Sequence, residues 1–440
     1  MGTTTAAVLD ERLSKIIGDY IQVAVTTALT TSNDVVSTNL NEYDEGKNDH
    51  FNERWCYVTD YANAGKNRRI YDYATATGTV DVRGANFVSD AANLATVRIS
   101  RHGYDAHLRA INDAIRELYP YLYRPLEDRT MVTGSILPDN SFELWTSATN
   151  PSLYSATNAT LARTTTAGLI RGAMGTTSMK VTASAADGYA YINSNTFPRL
   201  LDLRGKTIKF QGWAYPSTAN DAFLTIAYED EDGTETLTNS TTTCPASVFT
   251  LLATAELTVP TDITKIGFRF RVHTNGQNAY FDAARVTGTT LQEYVLLSDF
   301  ADGGVDQVYV QTSGVSTDPC DDLHPYGWER VFGYTTYNDG TYQWLRLPYL
   351  YSNKRQIRVI GTAPLSTLTT FSGTTEVDGR YIDLLVAYAA YCLYRNEEGV
   401  PSSKDTQRYT NNQAKWLREY YRLLPNRMPQ PRPTMNIAAY

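Results

Sequence analysis

Four stretches of the chain repeat apolar residues every three or four positions, the spacing of one face of an α-helix. They lie at residues 6–18, 104–121, 380–395 and 402–424. Gly18 is a stop signal for the first, Pro125 closes the second, and Gly399 and Pro401 separate the last two. The last two helices are predicted to form an antiparallel hairpin, and helices from both ends of the chain are expected to pack together.

A second pattern is extended. The β-branched run at residues 20–40 favours strands, and residues 54–100 contain four short strand-like runs between turn signals, which predict a small β-barrel. The four runs are Arg54–Thr59, Arg69–Tyr73, Thr79–Val82 and Ala95–Ile99.

From about residue 134 to 290, Thr, Ser, Asn, Ala and Gly dominate and helical periodicity disappears, which predicts a separate antiparallel β-sandwich. Thr207–Ala214 is predicted to pair with Ala222–Tyr228, and Ile266–His273 and Ala279–Val286 are predicted to be the closing strands. The acidic turn at residues 229–233 ends in Asp-Gly and is interpreted as a hairpin tip.

These patterns predict a multidomain α+β chain with a helical core, a small β-barrel-like module and an inserted jelly-roll sandwich. The predicted parts are an N-terminal helix with its lead-in (1–30), the small β module (31–100), a core helix (101–133), the sandwich (134–290), a β-rich connection (291–364), the helical hairpin (365–424) and an extended Pro-rich arm (425–440). A chain of 440 residues agrees with about three domains.

Composition narrows the class of protein. No stretch approaches the roughly 20 apolar residues that span a bilayer, and no secretory signal precedes Ala7, so a soluble protein made in the cytosol is expected. A net charge of −8 argues against sequence-specific DNA binding. The cysteines lack metal or disulfide spacing and are interpreted as small core residues: Cys56, Cys244, Cys320 and Cys392.

Catalytic motifs are missing from the sequence, which contains no nucleophile elbow, zinc-binding HExxH or phosphate-binding glycine loop, so we expect no enzyme. The scattered histidines are interpreted as ordinary polar residues. One mixed set of metal-ligand types occurs in a Pro-flanked segment that we interpret as a solvated loop: Asp318, Cys320, Asp321, Asp322 and His324.

Aromatic residues of the predicted sandwich suggest a site of another kind. Trp213, Tyr215 and Tyr228 are candidate sugar-facing residues, because aromatic rings pack on the apolar face of a pyranose. Alternating aromatic residues in strands are also burial signals, so core or rim packing is the competing interpretation, and we favour it.

Four landmarks in order resemble jelly-roll carbohydrate-binding modules of the xylan- and glucan-binding kind. They are Asn140-Ser141-Phe142-Glu143, Ser178-Met179-Lys180-Val181, the strand 205–214 and Tyr280-Phe281-Asp282. The resemblance implies a sandwich fold and a structural calcium near its first and last strands, with Glu143 and Asp282 as the carboxylates. No cofactor is otherwise required.

The flanking parts resemble tailed-bacteriophage proteins. Residues 55–59, 63–73 and 77–82 are similar to a small β module of phage neck and tail proteins, and the helices, including Ala387–Tyr394, to the core of head-to-tail connector (adaptor) proteins. The resemblance implies a ring subunit in the virion neck, assembled in host cytoplasm, that binds the portal, neck and tail proteins and its own copies.

Two partners follow from this resemblance. The first is packaged DNA, which four arginines facing the ring channel could contact non-specifically: Arg101, Arg109, Arg116 and Arg124. The interpretation that we favour is that these arginines are surface residues that balance acidic neighbours. Cell-surface glycan is the partner in the alternative hypothesis, a tail or baseplate host-recognition protein whose sandwich binds sugar. A carbohydrate-active enzyme ranks last, because the remaining segments are too short and too helical for a catalytic domain.

Overall fold

The computed structural model describes residues 2–171, 175–240, 243–288, 291–302, 304–312, 327–351, 355–379, 381–396 and 403–427. The chain divides into two compact units. The first unit comprises residues 1–124 and 364–440, and the second comprises residues 125–363. The predicted metal-type cluster at 318–324 and residues 428–440 of the predicted arm lie outside the described residues.

Strands outnumber helices in the described residues. The helices are α1 (Ala6–Ile17), α2 (Tyr104–Glu117), α3 (Asp299–Asp302), α4 (Ile382–Asn396) and α5 (Ser403–Arg427). The strands before the sandwich are β1 (Thr4–Thr5), β2 (Ile21–Ala24), β3 (Asp34–Val36), β4 (Trp55–Val58), β5 (Asn67–Ala74), β6 (Thr79–Val82), β7 (Thr96–Ser100) and β8 (Arg124–Asp128). Those of the sandwich are β9 (Trp145–Ser147), β10 (Asn150–Pro151), β11 (Ser155–Thr157), β12 (Ala159–Thr164), β13 (Ser178–Ala183), β14 (Gly188–Asn193), β15 (Thr207–Pro216), β16 (Ala222–Glu229), β17 (Glu235–Asn239), β18 (Thr250–Ala253), β19 (Leu257–Thr258), β20 (Lys265–Val272) and β21 (Asn278–Thr287). The strands that follow are β22 (Glu293–Val295), β23 (Gly304–Gln311), β24 (Trp328–Val331), β25 (Thr335–Asn338), β26 (Gln343–Arg346), β27 (Ile357–Ala363) and β28 (Thr374–Thr375).

The small β module of the first unit is an antiparallel sheet of six strands in the order β2-β7-β4-β5-β6-β3. The four runs expected in residues 54–100 are present, and the segment 20–40 supplies the two outer strands. Strands β2 and β3 are the two edges of this sheet. Thr26 N, just after β2, donates a hydrogen bond to Val36 O of β3 at 2.8 Å, so the two edges meet and the sheet curls into a small barrel. Cys56 is one of the apolar residues buried inside it.

Helices α1, α2, α4 and α5 bury their apolar faces in one common core, so both ends of the chain meet there. Helices α4 and α5 run antiparallel, as predicted, because Tyr394 contacts Tyr409 while Tyr388 contacts Tyr420. Helix α2 ends at Glu117 rather than near residue 121. Pro120 is the reason, because the residue before a proline, here Tyr119, disfavours helical backbone. In the described part of the chain, no helix is long and apolar enough to cross a membrane.

Helix α5 continues to Arg427, so the predicted extended arm is wrong for its first three residues. The described cysteines, Cys56, Cys244 and Cys392, are buried and unpaired, which confirms their interpretation as core residues.

A buried carboxylate joins three elements of the first unit. Asp10 of α1 accepts a hydrogen bond from Arg98 of β7 at 2.5 Å and one from the Nδ1 of His107 of α2 at 2.7 Å. Asp10 is 4% and His107 is 2% exposed. Through Arg98, Asp10 holds helix α1 against the barrel, and through His107 it holds α1 against α2.

The second unit contains the predicted sandwich, with sheets of order β11-β14-β20-β16-β17 and β12-β13-β21-β15-β18 that enclose one large apolar core. The predicted pairing of 207–214 with 222–228 is wrong, because β15 and β16 lie in opposite sheets and face one another across the core. Strand β15 pairs instead with β21, and β16 pairs with β20 and with β17. The acidic turn joins β16 to β17 as a hairpin tip, as predicted.

The first and last segments of the second unit run side by side. Strand β8 neighbours β27 in a sheet of order β24-β23-β27-β8. Beyond it, Ile357 N donates to Met131 O at 2.9 Å and Thr133 N donates to Arg355 O at 2.8 Å. The sandwich is therefore a loop-like insertion that starts and finishes at one place. A sheet of β22, β26 and β25 completes the unit.

The chain after β8 lies against the outer face of the β15–β21 sheet, where Val132 packs on Ala283 and Trp213, and Asn140 O accepts a hydrogen bond from Ala284 N at 2.8 Å. Two carboxyl groups are buried in this part of the unit. Asp282 is 1% and Asp139 is 7% exposed. Burial raises the pKa of each to about 7, even though Asp282 accepts hydrogen bonds from the backbone of Arg171 and Ala283. Each carboxyl therefore keeps its proton to a higher pH in the folded sandwich than in an unfolded chain.

Replacing Asp10 with Asn is expected to lower the free energy of unfolding of the first unit by up to about 3–5 kcal/mol, because it removes the nearer carboxylate of buried Arg98 and leaves only Glu11, at 3.9 Å. Chemical denaturation measures this. The matched control is Arg12→Gln on the same helix, whose ion pair with Asp383 at 3.2 Å is exposed and should contribute less than about 1 kcal/mol. Equal losses in the two variants would contradict the structural role of Asp10.

Asp282 should destabilise the sandwich as pH rises. Its pKa is about 7 in the fold against about 3.9 in an unfolded chain, so its stabilisation is complete below about pH 4 and is lost as pH rises through 7. The difference in unfolding free energy between wild type and Asp282→Asn should fall by up to about 1.4 kcal/mol per pH unit in that window. Thermal melts across pH test this, and a difference that is independent of pH would contradict it.

Candidate binding cleft

The sheet formed by β11, β14, β20, β16 and β17 turns one face to the sandwich core and the other outward. In β14 the sequence alternates strictly, so Gly188, Ala190 and Ile192 are buried while Tyr189 and Tyr191 point outward and are half-buried. The two tyrosine rings lie edge to face, with centroids 5.7 Å apart. The alternation thus places two adjacent aromatic rings on an exposed sheet surface.

Strand β20, next to β14, contributes charge to the same face. Its apolar residues Ile266, Phe268 and Phe270 fill the core, so Lys265 and Arg269 are directed outward. The guanidinium of Arg269 lies 4.6 Å from the centre of the Tyr189 ring. This cation–π contact helps to fix the positions of both groups.

Carboxylates from β16 and β17 neutralise these cations. Arg269 forms an ion pair with Glu235, and Lys265 lies 3.5 Å from Glu229. All these groups sit on strand backbones, which makes their spacing rigid. The face is therefore polar and rich in hydrogen-bond donors and acceptors without a large net charge.

Together the side chains border an open cleft with a volume of about 110 Å³. Its lining is formed by Thr157, Tyr189, Tyr191, Asn193, Ala227, Tyr228, Glu229, Glu235, Lys265, Gly267 and Arg269. Gly267 matters for its shape, because a Cβ there would approach Ile192 O to 2.9 Å. An open cleft with aromatic walls suits an extended ligand rather than an enclosed small molecule.

A second charged group flanks the cleft on the same sheet face. Asp187 accepts hydrogen bonds from Arg271 at 2.7 Å and from His273 Nδ1 at 2.8 Å. Both hydrogen bonds lower the pKa of Asp187 below its ordinary value, and the bond from His273 has the larger effect. Partial burial acts in the opposite direction but does not cancel it. The carboxylate stays ionised at neutral pH, so this group offers a charged acceptor.

Of the three predicted sugar-facing residues, only Tyr228 borders the cleft, where it also packs on the sandwich core. Trp213 and Tyr215 belong to β15 and lie on the outer face of the opposite sheet. There the Arg171 guanidinium covers the Trp213 ring at 4.1 Å, and Tyr215 contacts Phe249. Because β15 and β16 lie in opposite sheets, these two rings cannot form one platform with Tyr228.

The carboxylates of Glu143 and Asp282, for which the resemblance implied calcium, are already bonded by the protein. Glu143 accepts two backbone hydrogen bonds at 2.8 and 3.0 Å, and Asp282 accepts two at 2.7 Å. Among the described residues, no group of three or more His, Cys, Asp or Glu could hold a metal ion. Calcium takes about six to eight oxygen ligands, so this donor set does not fit it and the calcium remains a prediction.

The four arginines predicted to face a DNA channel have different surroundings. Arg101, Arg109 and Arg116 are exposed, and Arg116 lies 4.0 Å from Asp113. Arg124 is half-buried and donates a hydrogen bond to Pro364 O at 3.2 Å, which ties it to the protein. The structure therefore leaves only the first three available to a partner.

Sequence reasoning missed Tyr189, Tyr191, Arg269 and Lys265. The signal was present, because the run Gly188–Asn193 alternates small or apolar residues with tyrosines and polar residues. Alternation alone predicts which residues share a face of one strand. It could not show that β14 and β20 are neighbours, since they are far apart in the chain and pair only in the folded sheet.

No protein-family model matches the sequence, and no curated protein matches it. Among solved structures, the chain is similar to the C-terminal family 22 carbohydrate-binding module of Clostridium thermocellum Xyn10B, at 19% identity over 36% of this chain and 96% of that one, with a TM-score of 0.28. The CBM22-1 xylan-binding domain of Paenibacillus barcinonensis Xyn10C gives 13% identity over 36% and 94%, with a TM-score of 0.27.

A third similar structure is the enzymatically active domain of tailspike protein 4 from bacteriophage CBA120. It is 14% identical over 35% of this chain, with a TM-score of 0.26, and the match spans only 21% of the tailspike domain. TM-scores of this size carry no argument about what the chain binds. The neighbours are carbohydrate-binding modules and a phage tailspike domain, and the chain itself contains a β-sandwich of the predicted kind.

Proposed function

We propose that the sandwich binds a polysaccharide chain along the cleft of the β11-β14-β20-β16-β17 sheet. The observation that carries this proposal is the pair of outward tyrosines, Tyr189 and Tyr191, beside a row of paired charged side chains. Tyrosine rings contact the apolar C–H face of a pyranose, while its hydroxyl groups need donors and acceptors at the ring edge. Both requirements are met on one rigid sheet.

The charge balance of the cleft favours a neutral sugar. Lys265 and Arg269 are each paired with a glutamate, so an acidic polysaccharide would have to displace a carboxylate from its partner. A hydroxyl can instead share these groups, accepting from the cation and donating to the carboxylate. The open shape of the cleft suits an internal stretch of a chain rather than its terminal residue.

In this proposal the chain is a non-enzymatic structural protein of a tailed-phage particle, and its sandwich attaches the particle to surface glycan. The helical core supports a second candidate function, that of a head-to-tail connector ring subunit. The favouring observation is that α1 and α2 pack with α4 and α5 although the whole second unit separates them in the chain. A sandwich inserted in this way leaves the helical unit to bind the portal and neck.

Tyr191→Ala is expected to weaken polysaccharide binding at least tenfold. It removes the outward tyrosine ring of β14 that the Arg269 guanidinium does not cover. Affinity electrophoresis of the whole protein in gels containing soluble xylan, β-glucan or galactan, followed by calorimetry on the best ligand, measures this. Tyr189→Ala should also weaken polysaccharide binding. It removes the cation–π contact of Arg269, which is then held by its ion pair with Glu235 alone.

The matched control is Tyr215→Ala, since Tyr215 is an equally half-buried strand tyrosine on the opposite sheet. It should migrate as wild type does. Retention of wild-type protein with equal losses in Tyr215→Ala and Tyr191→Ala would place the site elsewhere. Failure of the wild-type protein to bind any of a broad set of neutral and acidic glycans would remove the glycan proposal.

The connector candidate predicts a closed ring of subunits. Light scattering and negative-stain imaging of the purified protein, with and without DNA-filled heads, should show rings or occupancy of the portal vertex. A monomeric protein that does not bind the heads but is retarded in gels containing polysaccharide would exclude the connector role. The glycan-binding role would remain supported.

A further inference from the structure

Helix α5 carries a stripe of basic residues on the side opposite its buried face. Arg408, Lys415, Arg418 and Arg422 follow one another at intervals of seven, three and four residues, which places them on a single face of the helix. All four are exposed. Asn411 occupies the remaining position of the repeat, and Glu419, which pairs with Arg422, is the acidic residue beside the stripe.

The rest of the helix is held in place by packing. Trp416 is 8% and Tyr420 is 6% exposed, and both belong to the core shared with α4. The basic face is therefore presented by a helix that is fixed along its length. From residue 408 to residue 422 the stripe extends about 21 Å at about 1.5 Å per residue.

Most of this positive charge is not neutralised within the described part of the protein. Arg422 donates to Glu419 at 2.9 Å, and Lys415 helps to lower the pKa of the same carboxyl and lies 4.9 Å from the centre of the Trp416 ring. Arg408 and Arg418 form no ion pair with another described residue. The chain as a whole has a net charge of −8, so this concentration of cations runs against its overall composition. One carboxylate beside four cations leaves the stripe with a net positive charge, which favours a polyanion as partner.

We infer that the basic stripe of α5 binds the phosphate backbone of double-stranded DNA without regard to sequence. A duplex presents a regular, closely spaced row of negative charges, which a straight row of cations can follow for several base pairs. Arg408 and Arg418 supply planar guanidinium groups that match phosphate geometry.

The observations disfavour other anionic partners. A membrane-surface helix needs a free apolar face to insert between lipids, and the apolar face of α5 is buried against α4. The centre of a protein interface is typically apolar or aromatic and depleted in charge, and the stripe contains no apolar residue. The stripe also differs from the arginines predicted from the sequence, which lie on or near α2.

The test measures binding of the whole protein to a fluorescein-labelled 20-base-pair duplex of mixed sequence by anisotropy, between 50 and 200 mM NaCl. The triple variant Arg408→Gln, Lys415→Gln, Arg418→Gln should bind about tenfold or more weakly at 50 mM salt. Its slope of log affinity against log salt should be smaller by about 2.7, or about 0.9 for each lost phosphate contact. Arg408→Lys with Arg418→Lys keeps the charge and should retain the slope.

The matched control removes three exposed cations of the small β module on the same unit, Lys47→Gln, Arg69→Gln and Arg83→Gln, and changes the net charge equally. It should bind DNA as wild type does, and thermal melts should show all variants folded. Equal weakening of the control, weakening of the control alone, or no wild-type binding at 50 mM salt would each overturn the inference. Binding to phosphatidylserine vesicles in preference to the duplex would overturn it as well.

Discussion

The architecture of the chain depends on the place where the second unit begins and ends. Strand β8 lies beside β27, and residues 131–133 continue the pairing with residues 355–357. Because entry and exit are adjacent, a large sandwich can be inserted between α2 and α4 without separating the two halves of the helical core. The backbone hydrogen bonds between these segments fix that arrangement, since a buried N–H or C=O without a partner is costly.

Within the sandwich, one physical rule produces both stability and the candidate site. Successive side chains of a strand point to opposite faces, so the phenylalanines of β20 fill the core while Lys265 and Arg269 border the cleft. The same rule gives β14 its buried small residues and its outward tyrosines. The cleft needs no separate framework, because the packing that stabilises the sheet also positions the binding groups.

Charged groups have different roles according to their burial. Asp10 is enclosed with Arg98 and His107, where its charge organises the first unit and would be costly to leave unpaired. The cations of the α5 stripe are exposed and contribute little to stability, which leaves them free to bind a partner. The paired charges of the cleft are intermediate, because they are fixed by neighbours yet remain accessible to a hydroxyl-rich ligand.

Local periodicity in the sequence determined the main elements. The helices at 6–18, 104–121, 380–395 and 402–424, the four barrel strands within residues 54–100 and four of the sandwich strands were predicted nearly in place, because their apolar spacing reports which face is buried. Tertiary structure alone decided which strands are neighbours. It put β15 and β16 in opposite sheets, moved Trp213 and Tyr215 away from the cleft, and brought Tyr191 beside Arg269, because antiparallel pairing joins segments whose separation in the chain carries no signal of contact.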